Sequence, residues 1–338
     1  PDMPRKKRLP ALPALLGRKI YKSGQTRGAD DDEIYQNRVS RMSTVLIPYH
    51  FWGEALKERI RDGFFKCGYI VLIKPEEYFA RANPDRELAE EGLALGRNCL
   101  VFYETRAQWS AYDPDQRGWS AADSRTDPLG GQYVARVPAT TAAQNSDGIN
   151  RGFMAKKMKG AGIRLYEYAD EETINKCRIQ LEAVYWLCYD SIEAAVAFGM
   201  SRADAESRRQ AILASAAAGG LLEYEALRNA RIIDEQNRTV CPPCLKPLSA
   251  RGFYTRMAQA EGREVPDLTV TEINLFHIEE LRYGCYNHRP YNLGWGHHHC
   301  NVVVKDAGIL PTLCWMKQVV LRNEAHGTVV EPGPEATM

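Results

Sequence analysis

The stretch His297-His298-His299-Cys300-Asn301, taken with the earlier Cys241-Pro242-Pro243-Cys244, decides how the last third of this chain folds. A C-x-x-C turn lets two thiolates reach one ion at about 2.3 Å. Alone that pattern is weak, because surface or redox thiols share it. Here His297 and Cys300 repeat the same spacing, so Cys241, Cys244, His297 and Cys300 make up a Cys₃His set of the kind that holds a structural Zn²⁺. His298 or His299 replaces His297 if the following helix begins elsewhere. Four protein ligands leave no open coordination position, so the reacting group lies outside this set.

Between the two ligand pairs runs Ile273-Asn274-Leu275-Phe276-His277-Ile278, a strand-like segment with one imidazole. A turn at Arg282-Tyr283-Gly284 precedes a second strand, Tyr291-Asn292-Leu293-Gly294-Trp295, and Cys300-Asn301 should open a helix. Five of the seven histidines (277, 288, 297, 298 and 299) fall in this region. In order, these residues resemble the HNH nucleases of the ββα-metal fold: a strand ending in histidine, a loop, an asparagine followed by an apolar residue, and a C-x-x-C-N corner in which His297 takes the first cysteine's place. The resemblance implies that His277 is the general base, that Asn292 fixes the loop and orients the imidazole, and that Asn301 binds a catalytic Mg²⁺. General chemistry agrees: imidazole titrates near neutral pH, and a hard cation prefers oxygen ligands such as an amide carbonyl. The family places an aspartate or another metal-ligating residue just before the base, where this chain has Phe276. Asp306, His298, Glu279, or water and phosphate alone are the replacements left open. Arg289, in the joining loop, is a candidate catalytic and DNA-binding clamp on the scissile phosphate, with an ordinary exposed arginine as the plainer reading.

The remainder of the chain is globular in composition. Of 338 residues, 44% are hydrophobic, 26% charged and 9% aromatic, which excludes a fibre or a wholly disordered chain. No run of about eighteen apolar residues occurs, so no membrane span is expected and a cytoplasmic location is. Nine scattered cysteines do not make a disulfide scaffold. Apolar, β-branched segments at Thr44-Val45-Leu46-Ile47, Tyr69-Ile70-Val71-Leu72-Ile73 and Cys99-Leu100-Val101-Phe102-Tyr103 predict strands, separated by helical stretches near 53–62 and 84–95. Residues 1–28 read as an extended arm or tail, and 104–150 as a long loop region. The spacing of Ile174, Cys177, Leu181, Val184, Tyr185, Cys188, Ile192 and Ala195 predicts one helix over 171–199, and a second runs from Ser201 to Gly219-Gly220.

The expected class is therefore α+β: a mixed α/β DNA-recognition region (1–165), a helical bridge (166–236), a zinc-containing ββα-metal nuclease domain (237–326) and a flexible tail (327–338). Net charge is only +1, yet residues 1–28 and 151–164 are strongly basic, which suits local phosphate contacts. The whole-chain pattern, notably Lys19-Ile20-Tyr21-Lys22-Ser23-Gly24-Gln25-Thr26-Arg27-Gly28 and Phe276-His277-Ile278 through Cys300-Asn301, is similar to the BstXI family of type II restriction endonucleases. That resemblance implies a homodimer cutting double-stranded DNA at an interrupted palindrome of the CCA, six unspecified pairs, TGG type. Candidate base readers are Gln25, Arg27 and Arg38, with Lys156, Lys157 and Lys159 on backbone phosphate. A modification-dependent or homing-type HNH endonuclease, and a non-catalytic zinc-containing DNA-binding regulator, are the alternative readings.

Overall fold

A computed structural model describes residues 9–26, 39–122, 124, 127–137, 149, 162–257, 270–305 and 307–328. They fall into two compact units. The C-terminal unit comprises Pro1–Ser23, Asn175–Arg282 and Asn287–Met338, and the N-terminal unit Gly24–Ile174 with Tyr283–Tyr286.

The first element is helix α1 (Ala14–Lys22), where the sequence had suggested an extended arm. It starts directly after Pro13, whose missing N–H costs nothing at a position where helix donors lack partners. Leu16 and Ile20, four residues apart, bury themselves in the core of the C-terminal unit.

The N-terminal unit holds a short antiparallel pair, β1 (Gln25–Thr26) with β2 (Val39–Ser40), and a five-stranded sheet. The sheet strands are β3 (Val45–Pro48), β4 (Tyr69–Ile73), β5 (Cys99–Tyr103), β6 (Tyr133–Ala135) and β7 (Ile163–Arg164), ordered β6-β5-β4-β3-β7 and all parallel. Helices α2 (Glu54–Arg61), α3 (Pro75–Phe79), α4 (Pro84–Glu90) and α5 (Arg106–Ala111) intervene. Strands buried on both faces read as continuous apolar runs, which is why Val45-Leu46-Ile47 and Ile70-Val71-Leu72-Ile73 do not alternate. Val45, Ile47, Val71 and Val101 pack with Leu56, Phe65 and Leu88, while Leu46, Ile70, Leu72 and Leu100 form a second core cluster. Gly162 admits the close approach of β7, since a Cβ there would lie 2.4 Å from the Thr44 carbonyl oxygen. Within the predicted loop region 104–150 stand α5 and β6. The helix is fixed by a reciprocal cap in which Gln108 N–H donates to Thr105 Oγ1 (3.2 Å) and Thr105 N–H to Gln108 Oε1 (3.1 Å).

In the C-terminal half, the helix predicted over 171–199 is two helices, α6 (Glu171–Trp186) and α7 (Ser191–Ala197). The break occurs where the Leu187 carbonyl accepts from Thr239 N–H at 3.2 Å and the Asp190 carboxylate accepts from Ser249 Oγ and Ala250 N–H, both at 2.6 Å. The final turn of α6, Ala183 to Trp186, is wholly buried, so this helix is a central core element and not a one-faced one. Helix α8 (Arg202–Ala218) is capped by Ser201, whose side chain accepts from Asp204 N–H, and ends at Gly219-Gly220 as its sequence predicts. After α9 (Tyr224–Asn229) come the hairpin β8 (Ile273–His277) and β9 (Leu293–His297), then α10 (His298–Val304) and α11 (Ile309–Ala325). Trp295 anchors the hairpin to α6 by donating its indole N–H to the Leu181 carbonyl at 2.8 Å, and packs edge-on against Phe253. Among the described residues no helix is long and apolar enough to cross a membrane.

Candidate metal centre and active site

The knuckle is set by its backbone: Cys241 N–H donates to the Lys246 carbonyl at 2.9 Å and Leu245 N–H to the Cys241 carbonyl at 2.8 Å, with Leu245 left-handed (φ 60°). Across from it, β9 ends at His297 and α10 carries Cys300. The ligand atoms of Cys241, Cys244, His297 and Cys300 all lie within 4.8 Å of one another. Cys244 Sγ is 3.4 Å from His297 Nδ1, and His297 N–H points at Cys241 Sγ at 3.3 Å. A tetrahedral zinc site with bonds of about 2.0–2.3 Å has its ligand atoms roughly 3.3–3.8 Å apart, a spacing that Cys244 and His297 already show at 3.4 Å, so this donor set fits the ion. His298 and His299 are turned to other partners, Asn274 Nδ2 at 3.3 Å and Cys300 Sγ at 3.3 Å respectively. His299 is held below the usual imidazole range by burial and by His297.

Three thiols so close cannot all ionise alike. Hydrogen bonds from Cys241 and Cys300 pull the Cys244 thiol far down, while the Cys244 contact pushes Cys241 far up. Cys300 is lowered by Cys241 but raised more by Cys244 and burial together, ending at about 11. A divalent cation bound here would take the place of the protons these sulfurs share and release them.

The hairpin pairs Ile273 with His297 and His277 with Leu293, so the strand ends at the imidazole. His277 is half-buried, and its Nε2 lies 3.2 Å from Nδ1 of His288. Asn292 is buried and closes the loop: its Oδ1 accepts from Glu279 N–H at 2.6 Å, and its Nδ2 donates to the carbonyls of Asn287 (2.6 Å) and Glu279 (3.1 Å). Every hydrogen-bonding atom of that carboxamide serves the backbone of one loop, which suits a residue that holds the loop in place. Asn301 sits half-buried in the first turns of α10. Phe276 is 1% exposed, covers Gly296, and packs with Val304 and Ile309 between the hairpin and α10. It is a core residue, which gives a physical reason for the absence of an acid there.

Arg289 is exposed and pairs with Glu279 at 3.1 Å. Gln25 is half-buried in β1 opposite Ser40. Arg27, Arg38, Lys156, Lys157 and Lys159 lie outside the described residues, as does Asp306. The sequence reading gave no role to two residues. One is His288, whose only signal was membership of the histidine cluster. The other is Lys19, which reaches from α1 to the Ile273 carbonyl (2.7 Å) and to Asn274 Oδ1 (3.1 Å) on β8.

The fold is thus mixed α/β with a C-terminal Cys₃His cluster consistent with an HNH-like nuclease module. No curated protein and no solved structure matches the chain. Residues 18–298, most of its length, match the family described as BstXI restriction endonuclease, and the chain belongs to that family of restriction endonucleases.

Proposed function

We propose that this chain is a type II restriction endonuclease that hydrolyses phosphodiester bonds of double-stranded DNA at a specific, interrupted palindromic site, with His277 as the general base. The observation that carries this reading is the half-buried imidazole at the end of β8, beside a loop closed by Asn292, on a hairpin joined to a Cys₃His cluster. Neutral His277 takes a proton from water. The bonding pair released stays on the water oxygen, which forms the new bond to phosphorus, and the bond to the 3′ oxygen breaks with its pair on the leaving group.

Asn301 offers an amide oxygen to a hard cation; Phe276, in the core, offers nothing. A bound divalent cation such as Mg²⁺ supplies positive charge to the phosphate and the leaving oxygen. Zn²⁺ held by Cys241, Cys244, His297 and Cys300 supplies folding free energy. Residues 1–165 serve recognition, 166–236 bridge to the nuclease domain and 237–326 cut; the tail expected over 327–338 lies, beyond Thr328, outside the described residues. Gln25, Arg27 and Arg38 read bases, Lys156, Lys157 and Lys159 hold phosphate, and Arg289 clamps the scissile group. A homodimer matches a twofold site with one surface used twice. Helix α11 exposes Leu310, Trp315, Met316 and Leu321, apolar surface that a second copy would cover. The protein acts in the cytoplasm, where thiols stay reduced for zinc.

The test is digestion of plasmid or phage DNA with Mg²⁺ by wild type and His277→Ala, followed by sequencing of the ends. Discrete fragments flanking a palindrome are expected, with cutting reduced about 10²–10⁴-fold in the variant while DNA binding is kept. Cutting at long asymmetric or modified sites supports the homing or modification-dependent alternative. Binding with no cutting by either form supports the regulator.

A further inference from the structure

His288 belongs to neither the zinc set nor the base position, yet it is 1% exposed, in the loop between β8 and β9. Its Nδ1 lies 3.2 Å from Nε2 of His277, with the rings 5.5 Å apart and tilted by 52°. The loop that carries it is held from several sides. Asn287 Nδ2 donates to the Glu280 carbonyl at 2.7 Å, and Asn292 N–H donates to the Arg289 carbonyl at 3.2 Å. Next to it, left-handed Tyr291 (φ 62°) donates its N–H to Gln180 Oε1 at 2.7 Å. The Tyr291 hydroxyl donates to the Gly220 carbonyl at 2.8 Å and accepts from Glu223 N–H at 3.0 Å. His288 is therefore a fixed point against which the imidazole at the strand end is set.

We infer that His288 is the positioning residue of His277, accepting a hydrogen bond from the Nε2–H of His277 on its own Nδ1. The inference rests on the reading of His277 as general base. A neutral imidazole carries one N–H and one lone pair. Since Nε2 of His277 is engaged with His288, the nitrogen that receives the proton from water is Nδ1, and Nε2 must carry the hydrogen. The reverse arrangement, with His288 donating, would put the hydrogen of His277 on Nδ1 and remove its capacity as a base. His288 thus sets both the tautomer and the rotation of the ring. When His277 takes up the proton, the bond to His288 becomes charge-assisted and stronger, which favours the transition state over the ground state.

The experiment compares wild type, His288→Phe and His288→Asn in Mg²⁺-dependent plasmid cleavage, and determines the His277 tautomer from ¹⁵N shifts in histidine-labelled protein, with His277→Ala for assignment. We expect His288→Phe to lower kcat roughly 10- to 100-fold, part of what a positioned base contributes, at unchanged KM. His288→Asn, whose Oδ1 falls near the former Nδ1, should recover much of that loss. Wild-type His277 should be protonated on Nε2, with that proton hydrogen-bonded, and His288→Phe should lose the bond. A Phe variant with wild-type kcat, or a His277 protonated on Nδ1, overturns the inference. Should wild type cut no DNA, the tautomer still decides: Nε2–H bonded to His288 upholds the pair and only the nuclease reading fails, whereas Nδ1–H overturns the pair.

Discussion

The parallel sheet of the N-terminal unit and the hairpin of the C-terminal unit are built on opposite economies of material. In β3, β4 and β5, nearly every side chain is apolar and buried, so register and cohesion come from area removed from water. The hairpin has two glycines, one asparagine and two half-buried imidazoles, His277 and His297, among its ten strand positions. It is placed by Trp295, by Lys19 from a distant helix and by the four-residue ligand cluster. A polar site needs residues that do not pack, and an ion held by the Cys₃His set would make up the missing cohesion. The difference teaches that removing a ligand and removing a methyl group should fail in different places.

The largest expected effect is that of Cys244→Ser. A structural zinc contributes apparent binding energies of roughly 10 kcal/mol or more to folding. Elemental analysis should find zinc in wild type and not in the variant. Hydrogen exchange should show protection lost at Leu275 and Trp295 while Val71 and Val101 keep theirs. Equal protection throughout in the zinc-free variant would erase the contrast between the two regions.

Its counterpart is Ile47→Ala, at a fully buried position of β3 paired with Val71. Deleting a core isoleucine costs about 2–5 kcal/mol, so denaturant midpoints should fall with zinc content unchanged. Zinc loss in this variant would mean that the hairpin draws its stability from the sheet.

A smaller effect distinguishes the two kinds of brace on β8. Burial, and then Lys22, lowers the Lys19 ammonium from 10.5 to about 7. With the folded value below the unfolded one, the unfolded chain binds more protons between about pH 7 and 10.5, so stability rises across that window and falls as pH drops through 7. The two carbonyl-type acceptors of Lys19 moderate the shift, and a rise of about 1–3 kcal/mol is expected. Lys19→Met should flatten it in urea titrations at pH 7 and 9.5; an unchanged slope would show that Lys19 stays charged in the folded state.

Legibility divided along the same line. The apolar runs 45–47, 69–73 and 99–103 announced strands because burial on both faces leaves a compositional mark. The Cys₃His set was legible because ligand geometry constrains spacing. By contrast, β6 and β7 are three and two residues long, too short for any period, and β7 depends on Gly162 lying against Thr44, a contact no local pattern encodes. Helix α1 was hidden by Pro10 and Pro13, which read as arm-like until Leu16 and Ile20 find a core. His288 was invisible as a partner of His277 because ten residues of chain lie between them, and fastenings such as those by Asn287, Asn292 and Tyr291 are what hold the loop where the rings meet.

The finest test lies within that loop, where neighbours have opposite surroundings: His288 is buried and Arg289 is exposed, its visible partner being Glu279. Surface pairs of this kind are worth about 0–1 kcal/mol, so Arg289→Ala should leave thermal stability within roughly 0.5 kcal/mol of wild type. If Arg289 clamps phosphate, the same variant should weaken DNA binding uniformly across sequences and reduce the slope of log affinity against log salt by about one. Unchanged salt dependence together with a lowered melting temperature would assign Arg289 to the loop's own architecture. The polar face of the hairpin would then end at His277, with the phosphate held by other cations.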